Sequence, residues 1–196
     1  MAWEYGQEIW NGLMADIGNE YGVAGLMGNL VAESGLIPYR VQGDFSAGYT
    51  YSQEYTADVD SGAISEYDFV NNGPNGGGYG LAQWTFYTRK QALYNMMQSM
   101  GVSIGSVDLA IGYLLYELKS GYSGVYEALK TATDIRTVSD IVLHDFEAPA
   151  DQSEAVEIQR AELGATVYET YAGTYDGSIG RKRKKMPIWM LLRYGL

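Results

Sequence analysis

The sequence predicts a mainly α fold, a helical body with a small β-hairpin and loop element set into it, and three observations carry that prediction. Apolar residues recur at helical spacing through residues 3–17, 21–33 and nearly everything after residue 84. Residues 41–78 break the rhythm, because Gly, Ser, Tyr, Thr and Asn dominate there. With 196 residues, 46% hydrophobic and 13% aromatic, the chain is large enough to bury a core. It reads as one domain over residues 1–176, followed by a tail, 177–196.

Taken in order, Trp3, Ile9, Trp10, Leu13, Met14 and Ile17 share one face of a first helix, which Gly18-Asn19 ends. A second helix follows with Val23, Ala24, Leu26, Met27, Leu30 and Val31, and it is apolar enough to be mostly buried. Glu33 is the odd residue at its end, where Ser34-Gly35 and then Pro38 stop it. The insert at 41–78 holds β-prone Tyr49-Thr50-Tyr51 and turn signals at Ser61-Gly62 and Asn72-Gly73-Pro74, which predict the hairpin and a long loop. Gly76-Gly77-Gly78-Tyr79-Gly80-Leu81-Ala82-Gln83-Trp84 then leads into a helix running to about Met100, with Trp84, Leu93, Met96 and Met97 facing the core. Further helices are predicted over residues 107–118, 125–132 and 135–143. After Pro149 a last one starts at Asp151 or Ser153, with Val156, Leu163, Val167 and Tyr171 on its buried side.

Composition excludes several classes. Cys is absent and His occurs once, so there is no disulfide framework, no thiolate nucleophile and no multi-histidine metal site, and no metal or cofactor is expected. The N-terminal stretch MAWEYGQEIWNGLM has neither a basic segment nor a long apolar run, so no signal peptide is expected, and no apolar stretch is long enough to span a membrane. Net charge is −11. Six of the 13 Lys and Arg lie beyond residue 180, so residues 1–180 set seven against 24 acidic groups and carry −17. Phosphate contacts would be opposed by that field, which argues against a nucleic-acid partner for the acidic body.

Glu33 is the residue with a chemical use. Burial disfavours the charged form of a carboxyl so placed and fits it to give up a proton near neutral pH, as a general acid does; the alternative is a surface Glu in the last helical turn. The glycine run lacks the Lys-Ser/Thr of a phosphate loop, and its use is to let backbone pass close to a ligand or to the end of the Glu33 helix. His144, at the end of an apolar helix, reads as a packed or dipole-satisfying residue.

Four stretches together, AGLMGNLVAESGL, the insert with YTADVDSGAIS, GGGYGLAQWTFYTRKQALY and DIVLHDFEAPADQSEAVEIQR, resemble the phage tail lysozyme family over roughly residues 1–172. Within the wider lysozyme-like group the chain is similar to goose-type lysozymes and soluble lytic transglycosylases. The resemblance implies a lysozyme-like fold with a glycan cleft between the β element and the helical body. It implies a glycosidase acting on peptidoglycan, with Glu33 as catalytic acid and Tyr79, Gly80, Leu81, Gln83 and Trp84 along the cleft. The second carboxylate is open among Asp44, Asp58, Asp60 and Asp68, of which Asp68 and Asp44 are the catalytic candidates; where an acidic residue is expected just before the glycine run, this chain has Asn71 and Asn72. Glu147, Glu154 and Glu157 are not among the residues carried over and are expected to matter far less.

Glycoside cleavage needs a proton on the leaving oxygen, then a water-activating carboxylate, a carboxylate nucleophile, or a substrate group that yields a lytic transglycosylase. The resemblance favours hydrolysis, as a muramidase of a virion tail or an extracellular endolysin acting on the cell wall, with other tail proteins as partners. A non-catalytic tail or glycan-binding module is the rival class. The segment RKRKKMPIWMLLRYGL beyond residue 180 is expected to dock on an acidic surface or anionic lipid, or to have no role.

Overall fold

The computed structural model describes residues 2–73, 77–175 and 177. Eight α-helices carry them: α1 (Gly6–Ile17), α2 (Glu20–Ser34), α3 (Thr50–Ser61), α4 (Tyr87–Met100), α5 (Val107–Ser120), α6 (Ser123–Thr131), α7 (Ile135–Val142) and α8 (Glu154–Tyr171). The mainly α class is as predicted. Pro74 of the turn signal, Gly76 of the glycine run and the basic tail from residue 178 lie outside the described residues.

The hairpin is a correction. Among the described residues extended pairing is confined to isolated bridges, Val41 with Tyr79 and Tyr79 with Trp84. The heart of the insert is instead α3, whose buried residues Ser52, Tyr55, Thr56 and Val59 stand at helical spacing. Two of those four, Ser52 and Thr56, are small polar residues, so the stripe does not register as apolar. Gly62, at φ 79, ends the helix in the left-handed conformation that glycine adopts without strain.

Helix α2 is the axis of the body. Asn19 caps it by accepting from the Gly22 N–H, while its side-chain amide donates to the carbonyls of Lys130 and Ala132 at the end of α6. From Gly22 to Leu30 every residue is buried, and α2 packs against α1, α6, α7 and α8. Glycine makes that packing close. A Cβ on Gly22 would run into the Leu129 carbonyl, and one on Gly28 would lie 2.5 Å from both Arg160 O and Gly164 N. Helix α8 therefore crosses α2 almost backbone to backbone, one turn before Glu33. Buried Asn29 fastens α7 to the same stretch by donating to Ser139 O and Oγ.

The helix stops where the sequence says it should. Gly35 at φ 65 donates back to Val31 O, and Leu36 follows at φ 61. Glu33 thus sits in the last turn, at the edge of the core. No helix among the described residues is long and apolar enough to cross a membrane.

Candidate functional site

An open cavity of about 300 Å³ lies at this end of α2, lined by Glu33, Gln42, Ala82, Gln83, Thr85, Phe86, Arg89, Glu147 and Pro149. Its residues come from five places in the chain: the end of α2, the segment after it, the loop before α4, α4 itself, and the turn between α7 and α8.

Glu33 is not the lone carboxyl that the sequence suggests. Arg160 of α8 donates from Nη2 to Glu33 Oε1 at 2.6 Å and from Nη1 to Asn29 O at 3.0 Å. The side chains are 20% and 9% exposed, so the pair is largely withdrawn from water. Such a pair holds the carboxyl group in a fixed orientation.

The second carboxyl of the cavity is Glu147, which the resemblance did not mark. It closes the wide turn Leu143–Glu147 that follows α7, and Ala148 leaves that turn at φ 43. Phe146 is buried edge-on against Tyr122, and His144 contacts Gln152 at 2.8 Å and Glu157 at 2.9 Å, so the turn is fixed from both sides. Oε1 of Glu147 is shut from solvent and meets no hydrogen-bond partner among the described residues. Burial, and then the neighbouring charge of Glu33, push the Glu147 carboxyl up to about 8, against the opposing pull of Arg89 and Arg160. A signal for Glu147 was present in the sequence, since Phe146-Glu147-Ala148-Pro149 repeats the logic of Glu33, a carboxyl at the end of an apolar helix followed by a breaker.

Arg89 also lines the cavity and is committed elsewhere. Its Nε and Nη2 reach Glu117 Oε1 and Oε2 at 2.7 and 2.8 Å, a two-pronged pair. Glu117 also accepts from Trp84 Nε1 at 2.6 Å and from Tyr113 OH at 3.1 Å. One buried carboxylate therefore fixes both the cavity wall and the loop before α4.

That loop meets the cavity through fewer residues than expected. Ala82 and Gln83 line it, whereas Tyr79, Leu81 and Trp84 are each 0% exposed and belong to the core. Tyr79 shares a hydrogen bond with Thr56, and Trp84 stacks edge-on against Tyr113. These three therefore position the loop. Gly80, at φ 82, leaves room for the Trp84 ring, and the space beside Gly78 is filled by Gln83. The glycines thus let the loop close on itself instead of on the Glu33 helix. Gln83, at φ 45, donates from Nε2 to Arg40 O and Gly80 O. Phe86, 71% exposed on the cavity rim, went unnoticed in the sequence and is a flat apolar face open to a ligand.

The two candidate aspartates lie elsewhere. Burial disfavours the Asp44 charge, but hydrogen bonds from the N–H and hydroxyl groups of Ser46 and Ser52 outweigh it and hold the carboxyl well below the usual range. Asp44 thereby anchors the start of α3. Asp68 is exposed and bound to Ser65 and Asn72, which also lowers it. Of the other two, Asp60 accepts from the Ile104 N–H, Asp58 is exposed on α3, and none of the four lines the cavity.

The family model for phage tail lysozyme matches residues 4–171. The chain belongs to the phage tail lysozyme family. The match covers all eight helices and every residue of the cavity, which supports a lysozyme-like glycosidase acting on the bacterial cell wall. No curated protein matches the chain.

Proposed function

We propose that the protein hydrolyses the glycan strand of peptidoglycan in the Glu33 cavity, as a muramidase-type lysozyme of a phage or phage-like tail. The observation that carries this reading is a pair of carboxyls facing one open cavity from unlike surroundings, Glu33 against a guanidinium and Glu147 with a buried Oε1 that meets no donor among the described residues. Glycoside hydrolysis asks for that contrast, because one carboxyl must hold a proton for the leaving oxygen while the other stays charged to assist water or the sugar cation. Glu33 is the carboxyl that the family resemblance marks as catalytic. Gln83 and Phe86 are the cavity residues placed to meet sugar, the first as a polar edge and the second as a stacking face.

The acidic body supports delivery on a particle. A charge of −17 over residues 1–180 is repelled by an anionic wall, and tethering supplies local concentration in place of electrostatic attraction.

The test is release of reducing ends from purified peptidoglycan, with the masses of the products. Hydrolysis adds water to the cleaved sugar, and its products carry that water. Products lighter by one water would assign a lytic transglycosylase to the same cavity. Tight binding without release would leave a glycan-binding module.

A further inference from the structure

Arg89 lines two cavities. Beside the Glu33 cavity, a second open one of about 230 Å³ has Arg89 on its wall together with Thr88, Tyr116, Ser120 and Tyr122. A third, of about 450 Å³, shares Gly121 and Tyr122 with the second and extends it along Val125 and Ile141. The three adjoin in a row, with Arg89 between the first and second and Tyr122 between the second and third. The ridge at Arg89 is the first turn of α4: Phe86, just before the helix, lines the first cavity, Thr88 lines the second, and Arg89 lines both.

That ridge is fixed and its charge is matched. The Arg89 guanidinium lies 5.4 Å over the ring of buried Phe146, which also meets Tyr122 edge-on at 5.0 Å. Glu117 takes Arg89 through both carboxylate oxygens, at 2.7 and 2.8 Å. What the second cavity offers a ligand is therefore ring and hydroxyl, from half-buried Tyr116 and Tyr122 and exposed Thr88 and Ser120. A neutral, hydroxyl-rich ligand suits such walls, because a sugar ring stacks on an aromatic face and its edge exchanges hydrogen bonds. An acidic peptide does not, since the guanidinium there is paired and residues 1–180 carry −17.

We propose that the cavity of Tyr116 and Tyr122 is a second glycan subsite, holding a sugar of the same strand that crosses the Arg89 ridge from the cavity where it is cut. This rests on the glycan-cleavage reading of the Glu33 cavity and adds to it a preference for long strands. A lone sugar needs one cavity, whereas adjoining cavities in a row suit an extended polymer. Contacts to sugars remote from the cut bond help to position it, so their worth shows in kcat/KM.

The experiment gives peptide-free glycan strands of graded length, prepared from peptidoglycan, to the full chain as wild type, Gly121→Trp and Tyr116→Ala. Reducing-end release and calorimetric affinity are read against strand length. Gly121 has an ordinary right-handed backbone at φ −107, and a Cβ there meets the Glu117 carbonyl at 3.5 Å, a normal contact, so the added ring can enter the cavity without strain. Tyr122 is left in place because it holds Phe146 and the turn that carries Glu147. In the wild type both readouts should rise with length. In the variants long strands should lose about tenfold, equivalent to about 1.4 kcal/mol, and the rise should flatten.

A wild type without the rise overturns the proposal, as do folded variants that keep it or that lose short and long strands alike. A length effect confined to strands that still carry their peptides gives the cavity to peptide and overturns the sugar assignment. A wild type that releases no ends from any strand defeats the cleavage reading alone. Affinity then decides the subsite by the same rise with length and the same loss in the variants.

Discussion

Arg160, in the last helix, closes a 2.6 Å ion pair with Glu33 at the end of α2, 127 residues earlier in the chain. The two helices meet there because Gly28 and Gly164 let their backbones touch, so the guanidinium arrives one turn beyond the crossing with almost no freedom. Packing and charge placement are thus one event.

Replacing Arg160 by Leu tests the pair. It leaves the Glu33 carboxylate and the Asn29 carbonyl without their donor in a mostly dry place. Breaking a buried pair from one side costs about 3–5 kcal/mol, and the 20% exposure of Glu33 puts this case near the lower end. Denaturant unfolding should show that loss, with Arg160→Lys intermediate because Lys cannot serve both acceptors in the same fork. An unchanged midpoint in Arg160→Leu would contradict the account of the pair.

Gly28→Ala tests the crossing. The added methyl meets Arg160 O and Gly164 N at 2.5 Å, both of them backbone, so α8 must shift. Overpacking of this kind costs about 1–3 kcal/mol. The shift also carries Arg160 away from Glu33, so activity should fall further than in an equally destabilised variant remote from the site. Equal losses in the two would separate the crossing from the cavity.

Much of this could be seen in the sequence. Helical spacing revealed the body, and the breakers after Glu33 located the end of α2, because both are local effects. Helix α3 stayed hidden because Tyr49-Thr50-Tyr51 looks like strand and half of the buried stripe is Ser and Thr. Periodicity puts Trp84 on the core side while the resemblance puts it along the cleft, and its indole N–H finds Glu117 in α5, a partner that no local pattern announces. Arg160 was missed because its meaning depends on a helix crossing and not on its neighbours in sequence, whereas Glu147 carried a local signal, the breaker after an apolar helix, and only its place beside Glu33 depends on the fold. Asp44 and Asp68 drew notice as acids in a polar insert, and the structure spends both on turns and a helix start.

Trp84→Phe separates the two readings of that residue. It keeps the ring in the core and removes the donor to Glu117. A lost hydrogen bond to a charged group costs about 1.5–3 kcal/mol, so thermal stability should fall by that order. Glycan affinity of the folded variant should match wild type. A loss of affinity without a loss of stability would return Trp84 to the cleft.

His144 reports on the turn that carries Glu147. Its contacts with Gln152 and then Glu157 favour the charged ring and raise it above its ordinary 6.5. The contribution of these contacts to stability is fully present below that value and is lost as pH rises through the raised midpoint. As the single His of the chain it gives isolated ring signals, and its NMR titration should lie above 6.5, falling back in Glu157→Gln. A wild-type midpoint at or below 6.5 would show the turn unpinned.

The most direct test of the account is turnover of purified peptidoglycan by Glu33→Gln, read as reducing ends released, with glycan binding measured on the same protein. Gln keeps the shape and can still accept from Arg160, so fold and binding should hold, while the carboxyl that exchanges a proton is gone. The predicted result is a fall in kcat of about 10² to 10⁴ with affinity little changed, beside a near-normal Glu154→Gln control. A well-folded Glu33→Gln that cleaves at close to the wild-type rate would contradict the assignment of this cavity as the site of cleavage.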